Sequence, residues 1–133
     1  MHLSSPLGLA VVGTLVTSIA AFPSLRIIKR ASGGQFQGQA TFYELGLGAC
    51  GSTNSEPELV AALNADQYAQ AFGKGPNCNR QARITAGGKF VTVRIVDKCP
   101  TCSHGDLDLS KAAFSRLSSL DAGRVNIAWS WVS

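Results

Sequence analysis

Two aspartates, Asp97 and Asp108, stand eleven positions apart on either side of a turn bracketed by Cys99 and Cys102. Val93 to Val96 alternates as a strand does and Asp97 ends it, while Asp108 comes just before Ser110, a helix-start signal. This arrangement brings two carboxylates to one end of a small β body, where a groove can form. Paired carboxylates are the working groups of glycan chemistry, one acting as acid and the other as base or nucleophile. A carboxylate at a helix start is favourable whatever the function. Ser110 already supplies a cap, however, which leaves Asp108 available for a groove. Asp97 is as well suited to holding loop amides as to touching a ligand. Asp106 reads as a solvated neighbour whose charge would raise the pKa of Asp108, and His104 as a residue that caps the loop.

The four cysteines, Cys50, Cys78, Cys99 and Cys102, fit two disulfides in a secreted chain, with three pairings open. Cys99 and Cys102 are close enough to pair locally, which would leave Cys50 with Cys78. That second bridge would contribute about 3 kcal/mol by restricting the unfolded chain. A thioredoxin-like site needs a helix starting at the first cysteine, but Pro100, Ser103 and Gly105 dictate a loop. Zinc would need a second ligand pair, and Cys50 and Cys78 are separated singles. No metal and no organic cofactor is therefore expected.

The chain has 133 residues, room for one domain. Residues 1–21 read as a secretory signal peptide: Leu7 to Ala20 is apolar and uncharged, and Ser18-Ile19-Ala20 is a small-x-small cleavage pattern. The run is too short for a convincing membrane span. Residues 22–30 read as a short pro-segment ending in the dibasic pair Lys29-Arg30, the alternative being a solvated basic pair in a tail. The formal net charge of +4 then shrinks. Removing Arg26, Lys29 and Arg30 from the 12 basic residues leaves nine against 8 acidic, a net of about +1. With no basic run interleaved with aromatics, nucleic acid is not an expected partner. The expected product is a secreted monomer, free of the membrane once the signal is gone. At about 100 residues it is near the size where disulfide staples help.

The positioning elements follow from periodicity. Residues 31–38 read as a loose leader, Gln39 to Glu44 as a strand, and Gly46, Gly48 and Gly51 as breaks. Leu59 to Leu63 is a short buried strand, and Ala65 to Phe72 about two turns of helix. Arg80 to Ala86 and Lys89 to Asp97 form a hairpin across Gly87-Gly88. On its second strand Val91, Val93, Ile95 and Asp97 share one face. Ser110 caps a helix running to Leu117. Gly123 to Val132 closes the set with Val125, Ile127, Trp129 and Trp131 on one face, so at least one Trp belongs to the core. A Trp at a barrel rim can also stack on a sugar, whereas Phe72 reads as core. Six or so short strands and two short helices give a mainly β fold, a small barrel.

Several stretches resemble one family. Ala40, Thr41, Phe42 and Tyr43, followed by Gly48-Ala49-Cys50-Gly51, look like the opening of the expansin first domain. Val96 to Pro100 and Leu107 to Ser110, followed by Ala113-Phe114, resemble the later motifs, and Gly123 to Trp131 the terminal strand. On these residues the chain is identified as a member of the RlpA-like double-psi β-barrel group. That group includes expansin-like and barwin-like proteins and family-45 endoglucanases, and the chain is most similar to single-domain, loosenin-like members. The resemblance implies a six-stranded double-psi β-barrel with two short helices over residues 31–133, and an open polysaccharide groove. It implies no second carbohydrate-binding domain.

By the same resemblance Asp108 matches the family aspartate that is the general acid of the endoglucanases and is needed for wall loosening in expansins. Asp97 matches a second groove aspartate, Thr41 and Tyr43 match groove residues of the first strand, and Cys50 with Cys78 matches a family disulfide. The endoglucanase base falls at Leu45 here. Glu44 is one residue off, and a one-residue shift turns a strand side chain to the opposite face. The acidic and histidine motifs of lytic RlpA domains are not found either. The expected function is a secreted protein that binds cellulose- or chitin-type wall polysaccharide at Thr41, Tyr43, Asp97 and Asp108 and loosens it without hydrolysis. Two alternatives stand beside it: a glycan-cleaving enzyme using Asp108 as acid, and a protein-binding module such as a protease inhibitor.

Overall fold

The structure is a computed structural model, and it describes residues 34–69 and 76–132. The expected signal peptide, the expected pro-segment with Lys29-Arg30, and Phe72 lie outside the described residues.

Six strands close into a barrel in the order β1-β5-β2-β4-β3-β6. They are β1 (Phe36–Phe42), β2 (Val60–Asn64), β3 (Gln81–Ala86), β4 (Lys89–Cys99), β5 (Leu107–Leu109) and β6 (Val125–Trp131). Helix α1 (Ala65–Tyr68) follows β2, and helix α2 (Lys111–Leu117) follows β5. The pairs β1–β5 and β2–β4 run parallel, and the others antiparallel. This mixed, closed barrel with two helices is the expected fold class. Alternation drives it: β3 reads exposed–buried throughout, placing Ala82, Ile84 and Ala86 inside. Leu63, Ile84, Val91, Val93, Ile95, Leu107, Leu109 and Trp129 fill the interior, and α2 adds Ala113, Phe114 and Leu117 from one end. Gly87 and Gly88 turn the β3–β4 hairpin with φ of 55° and 86°, which suits a two-residue connection with both φ positive. Ser110 caps α2 as read, its Oγ accepting from Ala113 N at 3.2 Å.

Four local expectations are corrected. β1 begins at Phe36 rather than Gln39 and stops at Phe42. Residues 36–38 are strand because Phe36 stacks on Trp129, 4.7 Å between ring centroids, and because Gly38 permits a close backbone crossing rather than breaking the strand. A Cβ on Gly38 would lie 2.3 Å from Gly105 O. The second correction is β5, a three-residue strand to which periodicity assigns no element. Its buried–intermediate–buried pattern is fixed by strands on both sides, not by its own length. Third, β4 runs on to Cys99, and its register against β2 shifts between Ala61 and Ala62. The shift leaves Val96 unopposed, so Val91, Val93 and Ile95 keep the core face while Asp97 leaves it. Fourth, α1 ends at Tyr68 within the described residues.

Both disulfides form, Cys50–Cys78 with Cα atoms 5.7 Å apart and Cys99–Cys102 at 5.4 Å.

Candidate functional site

Strand register assembles a row that no stretch of sequence contains. Thr41 on β1 lies opposite Asp108 on β5, Asp108 opposite Ala62 on β2, and Ala62 opposite Asp97 on β4. Four adjacent strands thus contribute one residue each. Strand spacing puts the two aspartate backbones about 10 Å apart. Ala62, 3% exposed, lies between the two aspartates in this row. Tyr43 continues the outward face of Thr41 past the end of β1, its N–H donating to Leu109 O at 3.0 Å. The structure therefore brings together the four residues expected to line a groove, Thr41, Tyr43, Asp97 and Asp108.

The two carboxylates are held differently. Asp108 is half-buried, and one oxygen, Oδ1, accepts from Thr41 Oγ1 at 2.8 Å. Burial pushes its carboxyl above the usual aspartate range; the Thr41 hydroxyl and the Arg124 charge pull it down, and Asp97 adds to the rise. Asp106, expected to supply that repulsion, is occupied elsewhere. Its carboxylate accepts from Gln39 N at 2.9 Å and Ser103 N at 3.1 Å, tying β1 to the cysteine loop. Asp97 Oδ1 accepts from Ala49 N at 2.7 Å and Lys98 N at 2.8 Å, so it does hold loop amides. Among the described residues the second oxygens of Asp97 and Asp108 have no hydrogen-bond partner. Gly48 makes the loop contact possible, since a Cβ there would lie 2.4 Å from Val96 O. Burial, then the charges of Asp97, Asp108 and Glu56, raise the Tyr43 phenol above its ordinary pKa, which keeps it a hydrogen-bond donor.

The neighbouring residues sort cleanly. Leu45, the position at which the resemblance would place a base, is apolar and half-buried, and Glu44 pairs with Lys111. His104 pairs with the Asp66 side chain rather than capping its loop. Trp129 is core, its Nε1 donating to Gly105 O at 2.9 Å, and Trp131 packs edge-on against it under Arg80. No cluster of three or more His, Cys, Asp or Glu that could hold a metal occurs among the described residues.

Sequence reasoning missed three supports. Glu56 accepts from Lys111 N at 2.9 Å and Ala112 N at 3.0 Å, closing the open end of α2 beside Tyr43. Arg124 sets charge near Asp108 from a turn distant in sequence. Asn64, fully buried, gives Nδ2 to Gln67 Oε1 at 2.8 Å and to Asp106 O at 3.1 Å, while Gly105 N reaches the same Gln67 oxygen at 3.1 Å. That network fixes the segment leading into Asp108. Its one sequence signal was a polar Asn-x-x-Gln placed directly after an apolar strand.

Comparison with known proteins agrees with this fold. The family model described as "Lytic transglycolase", a double-psi β-barrel model, matches residues 35–129. A papain inhibitor from Streptomyces mobaraensis is 36% identical over 105 residues, covering 75% of this chain and 73% of the inhibitor. An EG45-like domain containing protein from Citrus jambhiri is 31% identical over 130 residues, covering 87% of this chain and 95% of that protein. Among solved structures, a Streptomyces papain inhibitor superposes with a TM-score of 0.68 at 31% identity, over 76% of this chain and 96% of the inhibitor. A mutant Clavibacter michiganensis expansin in complex with cellohexaose superposes with a TM-score of 0.65 at 27% identity. That match covers 74% of this chain and 50% of the expansin.

Proposed function

The chain belongs to the expansin-like, RlpA-like double-psi β-barrel family, and from that membership we propose that it is a secreted protein that binds cell-wall polysaccharide of cellulose or chitin type. The ligand lies across the row from Thr41 through Asp108 and Ala62 to Asp97, and the protein loosens the wall without net hydrolysis. The row itself carries this reading: two carboxylates, each with one oxygen that has no partner among the described residues, flank a small residue on adjacent strands. Glycan hydroxyls exchange their interchain hydrogen bonds for bonds to Asp108 and Asp97, and Tyr43 offers a ring and a donor to a sugar face. Prising chains apart needs no covalent step, so the apolar residue at Leu45 is no obstacle. An inverting hydrolysis would need a carboxylate base about 6.5–9.5 Å from the acid. The cellohexaose complex of the expansin relative supports the choice of ligand class.

Sedimentation with insoluble cellulose, chitin and peptidoglycan, with released sugars assayed in the same tubes, tests the proposal. Binding without release, weakened in Asp108→Asn, is the expected result. Release that vanishes in Asp108→Asn would make the protein a glycan-cleaving enzyme instead.

The likeness to the papain inhibitor favours a second reading, in which the same barrel binds a cysteine protease. Inhibition of papain by the purified protein is its direct test.

A further inference from the structure

Leu47 is the most exposed large apolar side chain among the described residues, at 76% of its surface. It sits beside Gly46, a glycine for which the barrel supplies no reason. Every other described glycine has either a left-handed φ or a Cβ that would strike a neighbour; Gly46 has an ordinary φ and open space around it. An unforced glycine beside an exposed leucine narrows the chain where it faces solvent.

The local backbone sharpens this. Leu47 pairs with Thr53 as an antiparallel bridge, held by Gly48 N to Ser52 O at 3.0 Å and Asn54 N to Gly46 O at 3.1 Å. Those bonds come from the residues flanking the pair, so the N–H and C=O of Leu47 itself point away from Thr53. Among the described residues they have no hydrogen-bond partner. The far arm of the loop is anchored by the Cys50–Cys78 disulfide, by Cys50 N to Val96 O at 3.2 Å, and by Ala49 N to Asp97 Oδ1 at 2.7 Å. The loop therefore presents an extended donor–acceptor pair and one apolar side chain on a clamped support. Such a segment can add as a strand to a partner while its side chain fills a pocket, and the clamp removes most of the ordering entropy beforehand.

Building on the protease-binding reading above, we infer that the 45–48 arm, with Leu47 at its centre, is the segment that enters the substrate cleft of a papain-like cysteine protease. A protease cleft takes extended peptide by main-chain hydrogen bonds and an apolar side-chain pocket, which is what this arm offers. A sugar chain fits it poorly, because a branched aliphatic side chain lacks the flat face that stacks on a pyranose. The narrow Gly46 lets the arm descend between cleft walls.

Inhibition of papain acting on a small peptide substrate tests this, using wild type, Leu47→Asp, Gly46→Val and, on the β3–β4 hairpin, Phe90→Ser. The expected result is inhibition by wild type and by Phe90→Ser alike. Leu47→Asp should weaken it about 30-fold and Gly46→Val about tenfold. Both loop positions face solvent, so the thermal midpoints of the variants should stay near wild type. Wild-type inhibition by both loop variants would overturn the assignment of the arm and leave the protease-binding reading standing. No inhibition by wild type would overturn both.

Discussion

The barrel carries charge in opposite ways on two flanks. On the β3–β4–β6 flank three arginines have partners close by. The Arg83 guanidinium lies 3.8 Å over the Phe90 ring, Arg80 lies 4.0 Å over Trp131, and Arg94 pairs with Glu58 at 3.6 Å. On the β1–β5–β2–β4 flank, Asp97 and Asp108 each keep an oxygen without a partner among the described residues. Asp108 does so against a burial penalty that raises its pKa. A charge neutralised at home stabilises a surface; a charge held in place yet left incomplete is set up for something outside. A carboxyl perturbed by burial, as that of Asp108 is, marks a functional site more often than a structural one.

The largest break should come from Gly105, which leads into β5, packs against β1 and accepts from Trp129 on β6. Its φ is +92°, and a Cβ there would lie 2.1 Å from Gln37 O. Gly105→Ala should lose about 3 kcal/mol or more of stability in urea titration and weaken glycan binding with it. Next in size is Asp108→Asn, which keeps the acceptor for Thr41 but removes the charge. Glycan binding should fall about tenfold in sedimentation, with a thermal midpoint about 1–3 °C above wild type at neutral pH. The sign follows from burial. The folded chain holds the Asp108 proton more tightly than the unfolded chain, so the stability tied to it is complete below about pH 3.9 and lost as pH rises through the folded pKa. The advantage of the Asn variant should therefore disappear in melts taken in acid.

Glu56→Gln should cost about 1 kcal/mol in the same urea titration, because it weakens two bonds to the open end of α2. The smallest effect belongs to the opposite flank. Phe90→Ser should cost about 0.5–1 kcal/mol from the lost Arg83 stacking and leave glycan sedimentation unchanged. A clear loss of glycan binding in Phe90→Ser would erase the contrast between the flanks.

The parts of the fold that were legible in the sequence are those decided by near neighbours. The alternation in β3 and β4, the Gly87-Gly88 turn and the Ser110 cap each follow from local sterics or local hydrogen bonds. β5 was not legible, because three residues carry no period and become a strand only by pairing on both sides. The start of β1 was hidden for a similar reason: Gly38 looks like a breaker until Gly105 is seen packed against it. The aspartates were found through their spacing, Thr41 and Tyr43 through motif resemblance, and register then aligned Thr41, Asp108 and Asp97 across adjacent strands. Periodicity put Asp97 on the core face, and only the irregularity opposite Ala61 and Ala62 turns it outward.

The row also has a thermodynamic consequence. Residues 41, 62, 97 and 108 come from four strands joined by both parallel and antiparallel pairings, so no fragment with fewer strands contains it. A ligand that spans the row recognises the closed barrel alone and draws the unfolding equilibrium toward it by mass action. At a free concentration one hundred times its dissociation constant, such a ligand adds about 2.7 kcal/mol to the folded state. The melting curve of the barrel is thus a gauge of occupancy, able to rank oligosaccharides without labelling any of them.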